Sequence, residues 1–333
     1  MGKSKYNFSA IELIDLASGY RQSRILLTGL ELGVFTILDK GKKTSREAAK
    51  ILKTDEKATD RLMNALCAMK ILKKRNNFFS NSSSSSRYLV EGKPGFLANL
   101  FHINNLWENW STLTKVIYKG GTVSKEPERH RGKKSTSDFI GAMHFFAKSR
   151  ATKVVALINL KGVKNVLDVG GGSGAYSIEF VRRGKGINAV VFDLPSVIPL
   201  TNKYIENEGL GGRIKTVAGD FNINNLGEGF DLVLLSSIIH SNSPDENLRL
   251  IKKCYNALNQ NGQIVIQDFI MNKDKTIPDF GVLFAINMLV NTEAGDTYTF
   301  GEVKAWLEES KFSKIKKKNA PADTTLIIGR KVL

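Results

Sequence analysis

Cysteine is almost missing from this chain. Cys67 and Cys254 are the only two in 333 residues; they lie far apart, in no CxxC pair, with no histidine at metal-ligand spacing. That excludes a disulfide framework and a zinc site, so no metal is expected, and it fits a reducing compartment. Long apolar runs are missing too. Nowhere do about 18 apolar residues follow one another, and the opening Met1-Gly-Lys-Ser-Lys-Tyr-Asn leads into an amphipathic stretch. The expectation is therefore a cytoplasmic protein with no membrane partner. Acidic residues are also short, at 32 against 49 Lys and Arg, for a formal net charge of +17. The deficit is concentrated: residues 1–150 hold 27 basic against 13 acidic side chains, and the remainder 22 against 19. A basic half could contact nucleic acid, or it could be a solvated lysine-rich face; net charge bears on solubility and non-specific association, not on fold, and the second reading is preferred.

What is present is an ordinary globular composition, 42% hydrophobic and 24% charged, in a length that suits two domains better than one. In residues 11–38, Ile11, Leu13, Ile14, Leu16 and Ala17 begin an apolar stripe that resumes at Ile25, Leu26, Leu30, Leu32 and Phe35. This predicts two helices broken near Gly19 or Gly29. Thr44-Ser-Arg-Glu47 has capping-box spacing and opens a short helix to Leu52. A second helix over 57–69, capped by the Thr54-Asp-Glu segment, turns Leu62, Met63, Leu66 and Met69 inward. Residues 71–90, with Asn81 and five serines, read as a β-hairpin wing with a polar, flexible tip. Residues 1–95 thus look like a winged-helix domain, and 96–160 like a mainly helical linker and pocket segment broken by the basic loop 119–134. From Val163 onward, short apolar strands (165–169, 189–193, 214–218, 232–236, 263–269) alternate with amphipathic helices, which predicts a doubly wound α/β sheet over 161–333. Residues 312–318 and 324–330 fit a terminal hairpin.

The first of these strands runs into Gly170-Gly-Gly-Ser-Gly174 and then into a helix. Glycines at such a junction let the backbone turn sharply and approach a ligand, and the helix N-terminus offers free amides. Gly170-x-Gly172-x-x-Ala175 also satisfies the dinucleotide fingerprint, so the glycines alone are compatible with NAD. Asp168, at the end of the strand, argues otherwise: its carboxylate would repel a pyrophosphate but suits the ammonium of a methionine moiety beside a sulfonium. Asp193, ending the second strand, could accept ribose hydroxyls for either cofactor. After the third strand, Asp220-Phe221 places a carboxylate and an aromatic face where an adenine can be hydrogen-bonded and stacked. His240 follows the fourth strand, at the sheet edge where such folds place ligands.

The strings VLDVGGGSG, FDLPSVI, AGDF, SSIIHSNSPDEN, NGQIVIQDF and FAINMLVNTEAGDTYT together resemble the bacterial branch of the acetylserotonin and caffeate O-methyltransferase family. The resemblance covers nearly the whole chain and implies a Rossmann-like methyltransferase sheet with a terminal antiparallel hairpin, preceded by a mostly helical winged-helix dimerisation domain, hence a homodimer. It implies S-adenosylmethionine as cofactor, held by Asp168, Gly170, Gly172, Gly174, Asp193, Leu194, Asp220, Phe221 and Ser236, with Ser149 and Arg150 toward its carboxylate. It further implies His240 as general base and Asp268 as the carboxylate that orients it. Met143, Phe146, Phe284, Asn287, Met288 and Asn291 would line the pocket of a small aromatic or polyketide-like hydroxylated substrate. The sequence departs from the plant members, which follow the histidine with Asp-Trp; here it is Ser241-Asn242, and their second flanking carboxylate falls on Thr297, with Glu293 and Asp296 nearby. His102, His130 and His144 have no comparable context. Two alternatives stay open: C- or N-methylation, or a non-methylating reaction, on the same fold; and a nucleic-acid-binding winged helix, against which the apolar Leu62, Met63, Leu66 and Met69 argue.

Overall fold

The computed structural model describes residues 7–123 and 132–332. They form two compact units, one ending at Asn104 and the other beginning at Asn105. The segment 96–160 is thereby divided: its beginning belongs to the first unit and the rest to the second. His130 and half of the basic loop at 119–134 lie outside the described residues.

The first unit contains α1 (Ala10–Ser18), α2 (Tyr20–Glu31), α3 (Val34–Asp39), α4 (Ser45–Leu52), α5 (Glu56–Ala68), the hairpin β1 (Leu72–Arg75) and β2 (Phe78–Asn81), and α6 (Ser83–Tyr88). Its core gathers Leu30, Val34, Phe35, Leu38, Met63, Leu66, Leu72 and Phe79. The Thr44–Glu47 capping box forms as predicted, and Asp55, from the predicted capping segment, caps α5 through the Ala58 amide. One helix break falls at Gly19 and a second at Leu32-Gly33, so the stretch expected to hold two helices holds three. Gly29 instead lies inside α2 against Leu66 and Phe35, where an added Cβ would meet atoms at 3.0 and 3.3 Å. The serine run is not a flexible tip. The tip is Asn76-Asn77, both at positive φ, as a tight hairpin turn requires. Ser82 caps α6 through the Ser85 amide, and the Ser85 hydroxyl donates to the Ile71 carbonyl at 2.6 Å. Serine at an N-cap satisfies a free amide, and this local gain turns a low-complexity run into a helix. On α1, no residue is buried.

The second unit begins with α8 (Trp107–Trp110) and α9 (Leu113–Lys119), which follow α7 (Asn99–Asn105), and continues with the long α10 (Lys133–Ala156). Then strands and helices alternate: β3 (Asn165–Val169), α11 (Ala175–Arg183), β4 (Asn188–Asp193), α12 (Ile198–Asn207), β5 (Ile214–Ala218), β6 (Phe230–Ser236), α13 (Pro244–Ala257), β7 (Leu258–Asp268). After them come β8 (Ile270–Met271), α14 (Asp279–Asn291), β9 (Tyr298–Thr299), α15 (Phe300–Glu309), β10 (Phe312–Asn319) and β11 (Thr325–Lys331). The large sheet has the order β10-β11-β7-β6-β3-β4-β5. β7, β6, β3, β4 and β5 run parallel, and β11 and β10 add antiparallel as the predicted terminal hairpin.

Alternation along the strands divides the core between the two faces of the sheet. Leu167, Val169, Val233, Leu235, Ile264 and Ile266 join Leu250, Ile251, Val303 and Leu307 of α13 and α15 on one face. Val166, Val191, Leu232, Leu234 and Val265 join Val154, Val155, Ile178 and Phe180 of α10 and α11 on the other. The chain reverses strand order between β3 and β6, and the carboxyl ends of the central strands open there onto the glycine loop. The outermost strand, β10, carries exposed Lys314, Lys316, Lys317 and Lys318 and a register irregularity between Ser313 and Lys316. Among the described residues, no helix is long and apolar enough to cross a membrane.

Candidate active site

At the end of β3 the backbone turns through Gly170 (φ 64°), Gly172 (φ 56°) and Gly174 (φ 73°), the last serving as N-cap of α11. At Gly170 the requirement is double: besides the left-handed backbone, a Cβ would come within 2.4 Å of Ile238 Cδ1. Neighbouring elements fasten the loop. The Gly170 N–H donates to the Phe192 carbonyl at 2.7 Å, the Gly172 N–H to Asp193 Oδ2 at 2.7 Å, and the Thr201 hydroxyl to the Gly172 carbonyl at 2.6 Å.

Two carboxylates flank this loop, both buried. Asp168 is 1% exposed; one oxygen accepts from the Ser177 hydroxyl at 2.8 Å, while Oδ1 has no hydrogen-bond partner among the described residues. Burial pushes it up to about 6, opposed by the Ser177 hydrogen bond and reinforced by the charge of Asp193. An unpartnered buried carboxylate oxygen is costly unless a ligand satisfies it. Asp193 is raised by burial as well, and its oxygens take the Gly172 and Leu194 amides. Asp220 Oδ1 accepts from the Asn222 N–H at 2.8 Å, and the half-buried Phe221 ring stands on the Gly170 side of the site. Lys253, on α13, closes the loop after them by donating to the carbonyls of Phe221, Asn222 and Asn224 at 2.8, 3.0 and 3.0 Å. Ser236 donates to Gln267 Oε1 at 3.0 Å. This arrangement, a turn built largely of glycine with carboxylate acceptors on either side, fits a cationic ligand with a nucleoside better than a pyrophosphate.

Beyond β6 the chain passes through Ser237 (φ 57°) into a 3-10 turn, Ile239–Ser241. His240 Nδ1 lies 2.7 Å from Asp268 Oδ1 at the end of β7, and the pair is buried. The Phe269 amide also donates to Asp268 Oδ1, at 2.8 Å, and the His240 amide reaches Oδ2 at 3.4 Å. A carboxylate accepts only, so Nδ1 carries the hydrogen and Nε2 is left with its lone pair. The turn itself is held by Asn247, which donates to the Ile239 carbonyl at 2.8 Å, and by the Tyr298 hydroxyl, which donates to the Asn242 carbonyl. Of the two acidic residues near Thr297, Asp296 is paired with Lys275 at 2.9 Å and Glu293 is exposed. Asp268 is thus the carboxylate paired with His240 among the described residues.

The structure also brings part of the expected pocket to His240. Phe284 meets the imidazole edge-to-face with centroids 4.9 Å apart and packs with Phe269 and Phe280. On the same helix, Asn287 Oδ1 accepts from the Trp110 indole at 3.0 Å, and Asn291 Oδ1 accepts from Asn109 at 2.8 Å; Met288 is buried. Phe146, on α10, stacks edge-on against Phe145, and Met143 on the same helix is half-buried. The Ser149 hydroxyl and the Arg150 Nε both donate to the Phe146 carbonyl of their own helix, at 2.7 and 3.1 Å.

Three groups were missed in the sequence, two unnoticed and one, His144, set aside for want of context. His144 Nδ1 lies 2.9 Å from Ser173 Oγ in the glycine loop and stacks on Tyr204. Tyr176 is close to Ser236 and Gln267, where burial raises its pKa against those hydrogen bonds. Lys253 is the third. None is marked by its surroundings in the sequence, and only folding brings α10, α11 and α13 to the loops concerned.

A doubly wound sheet with a glycine turn, a carboxylate before it and a buried imidazole–carboxylate pair at the neighbouring strand end defines a cofactor-dependent transferase site. The comparisons with known proteins make this specific. Residues 125–313 match the O-methyltransferase domain, and residues 14–91 match the O-methyltransferase dimerisation domain. The chain is 30% identical over 311 residues to a 3-hydroxy-5-methyl-1-naphthoate 3-O-methyltransferase of Streptomyces sahachiroi, covering 91% of this chain and 90% of the other. It is 26% identical to the bovine (Bos taurus) acetylserotonin O-methyltransferase over 96% of this chain and 97% of the other. Human N-acetylserotonin methyltransferase, solved with S-adenosylmethionine, superposes with a TM-score of 0.83 at 25% identity, covering 100% of both chains. The chain belongs to the O-methyltransferase family and is an S-adenosylmethionine-dependent methyltransferase. Among the described residues, no group of three or more His, Cys, Asp or Glu is placed to hold a metal ion.

Proposed function

We propose that this enzyme methylates a hydroxyl of a small aromatic or polyketide-like molecule, with His240 as the general base. The observation that carries the reading is the 2.7 Å contact between His240 Nδ1 and Asp268, which leaves Nε2 as proton acceptor beside the Phe269–Phe280–Phe284 wall. A neutral imidazole nitrogen suits the proton of a phenol or enol as its oxygen attacks. Bound S-adenosylmethionine supplies a methyl group already activated by the sulfonium charge. The chain supplies proximity and a place for the proton. In this reading, Asp168 takes the cofactor's ammonium, Asp193 its ribose and Asp220 with Phe221 its adenine. The glycines Gly170, Gly172 and Gly174 provide close approach, Leu194 and Ser236 line the site, and Ser149 stands toward the carboxylate. Asn287 and Asn291 hold polar groups of the acceptor, and Met143, Phe146, Phe284 and Met288 grip its ring.

The acceptor class is supported by relatives named for such molecules: the naphthoate enzyme and, at 23% identity, a tetracenomycin polyketide 8-O-methyl transferase of Streptomyces glaucescens. A relative named as an N,N-dimethyltransferase, at 24% identity, keeps amines as the competing class. The deciding experiment incubates the purified enzyme and labelled S-adenosylmethionine with panels of phenols, enols and amines, with mass-spectrometric detection of a methylated product. Methyl ethers are expected; transfer to amines alone would reverse the assignment. The dimerisation-domain match supports a homodimer.

A further inference from the structure

We infer that His144 is a positioning residue for the cofactor loop, a latch from α10 that holds Ser173, and through it the glycine turn, in the shape that receives S-adenosylmethionine. The inference rests on the cofactor reading above. Its basis is geometric. The glycine turn has little stiffness of its own: three of its five residues are glycines at positive φ, and glycine is the residue with the most conformational entropy to lose. Its order must therefore come from neighbours. Asp193 holds it from β4 and Thr201 from α12, both at Gly172. The next residue, Ser173, is 3% exposed, and among the described residues its hydroxyl meets His144 Nδ1, at 2.9 Å.

The imidazole is itself fixed. It lies nearly parallel to the Tyr204 ring, with centroids 4.0 Å apart and an interplanar angle of 20°, a stacking distance that leaves no space between the rings. One turn earlier on α10, Ile140 approaches the same loop, 3.7 Å from where a Cβ on Gly172 would lie. Burial and Lys148 both disfavour its protonated form, against the opposing charge of Glu208, so at neutral pH the ring is uncharged beside a site for a cationic ligand. His144 therefore joins three elements, α10, the glycine loop and α12. It touches no reacting atom; it acts through Ser173.

The stack and the hydrogen bond can be separated by substitution. His144→Phe keeps an aromatic ring against Tyr204 and loses the bond. His144→Asn places an amide near the position of Nδ1 and loses the stack. Ser173→Ala removes the bond from its other end. The measurements are the dissociation constant of S-adenosylhomocysteine by calorimetry, KM for S-adenosylmethionine, kcat at saturation, and the thermal midpoint of the apoenzyme. His144→Phe and Ser173→Ala should each weaken cofactor binding by about fivefold to tenfold, the scale of one partly buried hydrogen bond, with kcat nearly unchanged. The double variant should bind no more weakly than either single one, because both remove the same bond. His144→Asn should recover most of the affinity. Independent, additive losses, unchanged cofactor binding in His144→Phe, or a lowered thermal midpoint with unaltered affinity would each overturn the latch. Wild-type protein that binds neither S-adenosylmethionine nor S-adenosylhomocysteine would instead overturn the cofactor reading on which it stands.

Discussion

Each side chain in the site is defined by what its partner leaves it free to do. Asp268 occupies Nδ1 of His240, so the imidazole can accept a proton only at Nε2. Replacing His240 by Ala should lower kcat by about a hundredfold to ten-thousandfold for an unactivated phenol, with cofactor affinity unchanged. Full activity of that variant on such a phenol would remove the histidine from the mechanism. Asp168 makes a prediction of the opposite kind, about protons released rather than accepted. Its carboxyl is raised to about 6 by burial, so in the ligand-free protein the stability it contributes is complete below its unfolded value, about 3.8–3.9, and is lost as pH rises through about 6. A cation placed at Oδ1 favours the ionised form. Cofactor binding should then strengthen from pH 5 to 7 and release a proton near pH 6, seen as calorimetric heats that differ between buffers of different ionisation enthalpy. Asp168→Asn should abolish the difference; equal heats for the wild type would remove the assignment. Of these residues, the sequence made legible those at or just beyond strand ends in recognisable strings, Asp168, Asp193, His240 and Asp268. It gave no sign of His144 or Lys253, whose partners belong to other elements. Nor could it distinguish Glu293 and Asp296 as substitutes for a second carboxylate: Lys275 takes one, and solvent the other.

Elements were read correctly wherever a single local force decides them. Strands β3 and β5 match the sequence expectation at both ends, because a short run rich in β-branched residues between turns has little else to become. The serine segment was misread because polarity suggested a loop, whereas one hydroxyl at the N-cap and another on the Ile71 carbonyl favour α6. The glycine turn separates conformational need from steric need. Gly170→Ala and Gly172→Ala both place a side chain in the left-handed region, at a cost of about 1–2 kcal/mol each. Only at Gly170 does the new methyl also collide, with Ile238; at Gly172 the nearest neighbour is Ile140 Cδ1 at 3.7 Å. Thermal unfolding should show the larger loss for Gly170→Ala, and the two variants falling together would mean that backbone strain alone governs the turn.

At the scale of the whole chain, composition announced a basic protein and the structure shows where its apolar surface is left over. Ile11, Leu13, Ile14 and Leu16 on α1 are 71%, 52%, 65% and 69% exposed in the single chain, far beyond what scattered surface residues require. With the dimerisation-domain match over 14–91, the expected state is a homodimer, and Ile14→Glu with Leu16→Glu should shift the sedimentation-equilibrium mass toward that of one chain. A dimer undisturbed by both charges would place its interface elsewhere. The large sheet, by contrast, guards one of its two edges, β10 and β5, against association. Its outer strand β10 presents four exposed lysines and an irregular register, so a strand arriving from another molecule would have to approach a row of like charges along a bent, poorly matched hydrogen-bonding edge. In a concentrated solution of partly refolded chains, that edge acts as a gatekeeper against fibrous or sheet-extended aggregates.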